Sequence, residues 1–398
     1  MNQRAWSVPT TAFTTDTTVS PTAQMMAVVD TVLLKVASRC NLNCTYCYVY
    51  HMGDDGWRSQ PKRMSESVQA ATVEQLSDLA LLQGRPFSVV LHGGEPLLLG
   101  APRLGRLLSA LRAALPTECG LHLQTNGVLL EDAILDICAD HGVGISISLD
   151  GPEHVNDRFR VDLRGRGSQA RVLAAIEKVR AHPKAQELFS GLLSVVDPRT
   201  DPREIYAFFK GTRAPSVDFL YRDGNHDRLP FGKARADSTE YGRWMSTLLD
   251  CYLADAAPPR IRVLDDMLKL ILGGAARKEG VGLSDYGIVI IDTDGSINKN
   301  DTLKSTQSAA DVFASHWSVL RHRLYDVANT PEFEAYHVAQ RPSSAVCQSC
   351  PDLAICGGGM PAHRWRKEKG FENPSVFCAD QRLLIDRMRQ WIGMQRAA

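Results

Sequence analysis

The sequence predicts an α/β protein built as a partial (β/α)6 barrel followed by a smaller C-terminal domain. Six times from residue 31 onward, a short apolar run is followed by a longer segment with apolar residues at three- and four-residue steps. Such alternation implies parallel strands joined by helices, curled into a closed or nearly closed sheet. Near residue 258, at Pro258-Pro259, the alternation stops. The polar motifs meanwhile cluster just after the apolar runs, at the strand ends where such sheets gather their chemistry.

Residues 1–28 are rich in Thr, carry little charge and show no periodicity, so a flexible N-terminal segment is expected. Barrel residues 29–257 are expected to pair strands with helices as 31–37 with 65–83, 86–92 with 102–115, and 120–125 with 130–141. The remaining units are 143–149 with 168–182, 189–196 with 202–211, and 216–221 with 238–254. The C-terminal domain is expected over 258–398. It opens with a helix at 262–273 and a hairpin over 287–297 that turns at Asp294-Gly295. A Gly- and Cys-containing segment, 345–378, precedes a last helix at 379–393. The polar loop 221–237 after the sixth strand reads either as a substrate-contacting loop or as ordinary surface.

Composition excludes some partners. Lys+Arg and Asp+Glu both number 45, so the chain has no bulk positive field for nucleic acid or an anionic membrane surface. No run approaches the ~20 apolar residues of a membrane span, and the first residues lack an export signal. A cytoplasmic protein is expected.

The ten cysteines are unevenly placed, which favours metal binding over a disulfide framework. Cys119, Cys138 and Cys251 sit in apolar or helical contexts and read as core. Cys40-x3-Cys44-x2-Cys47 follows the first strand. Three thiolates can hold an iron–sulfur cube with one iron left open, or a zinc ion if His51 supplies a fourth ligand. At the end of the second strand, His92-Gly93-Gly94-Glu95-Pro96 offers a close backbone approach and a carboxylate that can accept from an ammonium. Gln124-Thr-Asn126-Gly and Ser148-Leu-Asp150-Gly end the third and fourth strands, either as turns or as polar groups facing one cavity, where Asp150 could take a ribose hydroxyl. Cys347-x2-Cys350-x5-Cys356-Gly-Gly-Gly, with Cys378 beyond, can enclose a second cluster or form a four-Cys zinc site; spacing alone does not choose.

Cys-x3-Cys-x-aromatic-Cys after the first strand resembles the signature of the radical S-adenosylmethionine (SAM) enzymes, whose barrel is TIM-like. The resemblance implies that a [4Fe–4S] cluster on Cys40, Cys44 and Cys47 reduces SAM to methionine and a hydrogen-abstracting 5′-deoxyadenosyl radical. It assigns Gly93, Gly94 and Glu95 to the SAM amino group, and Gln124, Asn126, Ser148 and Asp150 to the rest of SAM. Arg158 and Arg171 become candidates for the SAM carboxylate. The segment from Cys347 to Cys378 is similar to the SPASM/twitch-type extension of radical SAM peptide maturases, which implies an auxiliary [4Fe–4S] cluster there.

Relatives with two auxiliary clusters carry further cysteines, and at the matching places this chain has Asn300 and Met360 and no Cys in 280–286. Two clusters in total are therefore expected. Asp301 matches the general base of sulfatase maturases, or else caps the following turn. The whole pattern resembles the FxsB-type maturases, which implies a carbon–carbon crosslink between an aromatic ring and a side-chain β-carbon of a precursor peptide, a cyclophane. The expected partners are that peptide and an external electron donor of flavodoxin or ferredoxin type. The leader is read by the barrel itself or by a separate leader-binding protein. Peptide epimerisation, thioether formation and formylglycine formation are the alternatives within the same chemistry; a zinc-binding interaction module is the alternative outside it.

Overall fold

The computed structural model describes residues 27–276, 278–283 and 287–397; the expectation for 1–28 falls almost wholly outside them. Six strands follow the sequence order closely: β1 (Thr31–Ala37), β2 (Ser88–Gly93), β3 (Gly120–Thr125), β4 (Val143–Ser148), β5 (Phe189–Val195) and β6 (Val217–Leu220). Each pairs in parallel with its neighbour, and the helices between them are α1 (Glu66–Gln83), α2 (Ala101–Ala114), α3 (Asp132–Asp140), α4 (Gln169–Ala181) and α5 (Pro202–Thr212). Local chemistry sets their ends. Ser65 accepts from Val68 N at the start of α1, Gly84 ends it at φ 63°, and Asp201 with Pro202 opens α5.

The sheet is open, and its order is β6-β5-β4-β3-β2-β1-β7-β8. The expected hairpin is present as β7 (Ile288–Ile291) and β8 (Ile297–Asn298), with Gly295 at φ 85° in the turn. It does more than turn back on itself, because β7 also pairs in parallel with β1, Thr31 opposite Ile288 through Leu34 opposite Ile291. The sheet of the barrel thus continues into the chain beyond 258. All four β7 residues are buried, as a strand covered on both faces requires.

Alternation along β1 sorts the two faces of the sheet. Val32, Leu34 and Val36 enter the hydrophobic core with Leu76, Leu79, Val89 and Leu91. Leu33 and Lys35 turn to the concave side, as do His92, Gln124, Ser148, Leu193 and Val195. Among the described residues, no helix is long and apolar enough to cross a membrane.

The C-terminal helix, α8 (Cys378–Ala397), packs along α6 (Glu240–Ala254); α7 (Arg262–Ile271) lies between them in the chain. The contact at its first turn is close: a Cβ on Gly242 would sit 2.7 Å from the Asp380 Cα. Asp380 Oδ1 accepts from Gly242 N at 2.7 Å, and Oδ2 pairs with Lys233 Nζ at 2.5 Å, with both side chains wholly buried. This pair fixes the start of α8, and therefore Cys378, against the barrel. Removing one partner leaves an uncompensated charge, so Lys233→Met is expected to cost about 3–5 kcal/mol. Equilibrium urea unfolding measures it; a loss below about 1 kcal/mol, the range of an exposed pair, would show the pair is not structural.

Candidate active site

The C-terminal ends of the six barrel strands converge on one cavity of about 400 Å³. Cys40, Cys44 and Cys47 line it, together with Gly93, Gly94, Glu95, Gln124, Asn126, Ser148, Asn300 and Asp301. The cysteine loop is tied down from two sides. From β2, Gly94 N donates to Ala37 O at 2.9 Å and Glu95 N to Arg39 O at 2.9 Å. From the segment after β4, the carbonyls of Val161 and Phe159 accept from Asn43 N at 2.7 Å and Thr45 N at 3.0 Å.

The two glycines are there for this docking. A Cβ on Gly93, at φ 135°, would fall 2.1 Å from Ala37 O, and one on Gly94 would fall 2.4 Å from Arg39 O. Burial pushes the Cys40 thiol up to about 12, with Glu95 adding to it, and pushes Cys47 up to about 11. Cys44 is raised too, chiefly by burial, with Arg160 opposing. The bare thiols are therefore held protonated, and a bound metal has to displace those protons.

Glu95 is 1% exposed and rigidly held. Its carboxylate accepts from Thr125 Oγ1 at 2.6 Å, Asn126 N at 2.9 Å and Leu97 N at 3.1 Å. Asn126 Nδ2 donates to Asn41 Oδ1 at 2.8 Å, and Gln124 Nε2 to Ser148 Oγ at 3.0 Å. Asp150 is not on the cavity wall: it accepts from Tyr46 OH at 2.6 Å and from Val195 N at 3.0 Å, bracing the aromatic residue between Cys44 and Cys47.

The two candidate arginines lie elsewhere. Arg158 is half exposed against Asp197 at 3.4 Å, and Arg171 is half exposed near Asp162 and Gly167 O. The arginine that does line the cavity is Arg160, 7% exposed, whose Nη1 donates to Tyr46 OH at 2.8 Å while Nε has no hydrogen-bond partner. Its only signal in sequence is its place two residues beyond Arg158, in the turn that follows the short helix Glu153–Asn156. In the loop 221–237, Arg222 stacks over Tyr46 and Phe159, and His226 Nε2 meets Pro374 O at 2.8 Å, so the loop bridges the cysteine loop and the C-terminal segment.

Asn300, where the resemblance places an inner-cluster cysteine, takes the capping role: its Oδ1 accepts from Thr302 N at 3.0 Å and Thr302 Oγ1 at 2.9 Å. Asp301 is left free of that duty and pairs with Lys35 Nζ at 2.7 Å; Lys35 also reaches Asp292 at 3.3 Å. Asn300 Nδ2 donates to Glu279, which with Asp223 lines the same cavity. Burial pushes both carboxyls up to about 7. Neither had been singled out from the sequence.

The second cysteine group is also assembled. Gly357, Gly358 and Gly359 all have positive φ, and a Cβ on Gly357 would strike Gly282 O at 1.9 Å. Burial pushes Cys356 up to about 12, with Cys378, Cys347 and Cys350 close enough to add to it. Yet no three or more His, Cys, Asp or Glu side chains among the described residues converge as a lone metal ion would need.

Residues 34–205 match the radical SAM superfamily, over the barrel strands and the cysteine loop just described. The chain is a radical SAM enzyme. The zinc-module alternative ends there. This radical SAM enzyme uses SAM and a [4Fe–4S] cluster, and its residues fit both: three grouped thiols, and beside them a fixed buried carboxylate and a buried guanidinium. It is 23% identical over 357 residues to the cysteine-type anaerobic sulfatase-maturating enzyme of Clostridium perfringens, across 87% of this chain and 92% of that one. It is 29% identical over 345 residues to the serine-type enzyme of Klebsiella pneumoniae, across 83% and 82%. The native anSMEcpe structure with bound AdoMet shares the fold at a TM-score of 0.77, with 21% identity, covering 92% of this chain and 100% of that one. These relatives are named for sulfatase maturation, so the radical SAM peptide or protein maturase class is supported while the FxsB-type subfamily is not.

Two outcomes test this geometry. Gly94→Ala forces Arg39 away from the strand end, and anaerobic SAM binding by calorimetry is expected to weaken about tenfold or more, the equivalent of about 1.4 kcal/mol; unchanged affinity would show that the docking is dispensable. With Glu279 and Asp223 titrating near 7, turnover that needs either carboxylate ionised rises with pH through about 7. Glu279→Gln should flatten that acid limb if Glu279 is the group, and should leave it in place if Asp223 is.

Proposed function

We propose that this radical SAM enzyme oxidises a side chain of a peptide or protein substrate by two electrons at its β-carbon. The observation that carries the reading is the single cavity that brings the three-thiol loop, Glu95 and the Lys35–Asp301 pair together. Cys40, Cys44 and Cys47 would hold the SAM-binding cluster. Glu95, with Gly93 and Gly94, would receive the SAM amino group. Gln124, Asn126 and Ser148 line its path, and Arg160 rather than Arg158 or Arg171 would take its carboxylate, since a buried guanidinium with a free Nε asks for an anion. Asp150 acts through Tyr46.

When bound, the cluster and SAM supply a radical that removes one hydrogen atom from the substrate. Asp301 takes the proton that must also leave. Lys35 spans both Asp301 and Asp292, so its ammonium keeps a counter-charge when Asp301 is protonated. Cys347, Cys350, Cys356 and Cys378 would hold a second cluster, whose chemistry is one-electron transfer. Residues 29–257 would then carry the SAM site and 258–398 the second cluster, in a cytoplasmic enzyme reduced by a flavodoxin or ferredoxin. The leader of a precursor peptide would be read by the barrel or by a separate protein.

The names of the relatives favour formylglycine formation from Ser or Cys as the product. A crosslink to an aromatic ring is the second reading, favoured by Asn300 and Met360, which line the cavity at the places where the resemblance to maturases with an inner auxiliary cluster implies cysteines. Both remove two hydrogens when the target is a serine or a ring-bearing pair. Incubation of the reconstituted enzyme, SAM and reductant with Ser-, Cys- and aromatic-containing peptides separates them. Formylglycine reacts with a hydrazide, and a crosslinked product lighter by two hydrogens does not; a product of unchanged mass would sink the oxidative reading in favour of epimerisation. With the accepted peptide, Asp301→Asn should still form 5′-deoxyadenosine but lose product by about 10²–10⁴-fold. Product formed at the parent rate would move the base elsewhere.

A further inference from the structure

Arg364 is the largest wholly buried side chain among the described residues, at 0% exposure. It ends the 3-10 turn Pro361–Arg364, between the third and fourth cysteines of the C-terminal group. Its Nη2 donates to Gln340 O, and its Nε is buried with no hydrogen-bond partner. Among the described residues no carboxylate pairs with it. An isolated buried cation of this kind is strongly unfavourable unless an anion compensates it.

The charges nearby narrow the choice of anion. His363, beside it in the chain and also buried, is kept neutral, its imidazole pushed down to about 4 by burial and by Arg364 itself. Asp352 is held by Arg389 at 2.5 Å. Burial draws the Arg364 guanidinium down to about 10, and Cys347 and Cys356 are the groups near enough to act against it once ionised, as they are when they hold a metal. Four thiolates around an iron–sulfur cube make a net anion, and its sulfides accept hydrogen bonds.

We propose that Arg364 is the buried counter-cation of the cluster held by Cys347, Cys350, Cys356 and Cys378, and that its charge raises that cluster's reduction potential. The proposal rests on the reading of those four thiols as a cluster site. A fixed positive charge stabilises the more negative, reduced state, so the potential moves up and the site becomes a better electron acceptor. Arg364 is a tuning residue, touching neither substrate nor SAM.

The test uses the full chain with Cys40, Cys44 and Cys47 all changed to Ala, so that one cluster remains. After anaerobic reconstitution, iron and sulfide are counted and the cluster is titrated with reductant while its EPR signal is followed. Arg364→Gln should keep the cluster but shift its midpoint to a more negative potential, and Arg364→Lys should stay near the parent. An unchanged midpoint in a fully loaded Arg364→Gln chain overturns the proposal. Should Arg364→Gln fail to load, thermal unfolding without metal decides. A metal-free variant at least as stable as its parent shows that the cation lacked a partner without the cluster, and supports the proposal; a destabilised one shows a plain structural role, and overturns it. A parent that binds zinc and no sulfide overturns the cluster reading itself, a distinct result.

Discussion

Everything at the cavity depends on how closely the end of β2 approaches the end of β1. The approach is a backbone contact: Gly94 N and Glu95 N donate to Ala37 O and Arg39 O, and the latter lies one residue before Cys40. No side chain fits between the two segments, which is why the strand ends in two glycines. The same contact places the Glu95 carboxylate behind the cysteine loop, where Thr125 and Asn126 hold it. One short stretch of β2 thus sets the loop and the carboxylate together. A change in either strand end would move both.

Buried charge does the corresponding work between the barrel and the C-terminal half. Lys35 on β1 holds Asp292 and Asp301 from beyond 258. Lys304 reaches back to Asp54 at 3.4 Å and pairs with Asp311 at 2.9 Å, and Lys233 holds Asp380. Each pair is costly to bury and more costly to break, so the pairs fix one arrangement of the two halves more sharply than apolar packing alone. The backbone adds its own link, because β7 continues the barrel sheet beside β1. The cavity wall is therefore made from both halves.

The strands were legible because each is a short apolar run bounded by turn residues, and the cysteine groups because their spacing is local. The joining of β7 to β1 was not: Ile288–Ile291 is uniformly apolar, so nothing in it says which neighbour it pairs with. Among the site residues, Glu95, Gln124, Asn126 and Ser148 sit at the ends of successive strands and were assigned through the family resemblance, and all line the cavity. Asp150 and the arginines were not separable in this way. Whether a side chain after β4 points in or out depends on local backbone direction, which turns Arg160 inward and Arg158 toward Asp197. Glu279 and Asp223 lacked any motif; only the tertiary fold brings them together.

Asn300 stands where the resemblance to maturases with two auxiliary clusters places a cysteine. Its amide caps the Asp301–Ser305 turn and reaches Glu279, and its own N–H donates to Tyr336 OH at 3.1 Å. A cysteine could not make the amide contacts, because a thiol is a weak donor and a weak acceptor. By taking over the cap, Asn300 leaves the Asp301 carboxylate for Lys35 and the cavity. The same exchange brings a second carboxylate, Glu279, to the wall beside it. Where relatives with an inner cluster would present metal, this chain presents hydrogen-bonded carboxylates, suited to moving protons rather than electrons. Electron transfer would then fall to the outer four-cysteine site alone, where the buried Arg364 supplies a positive charge.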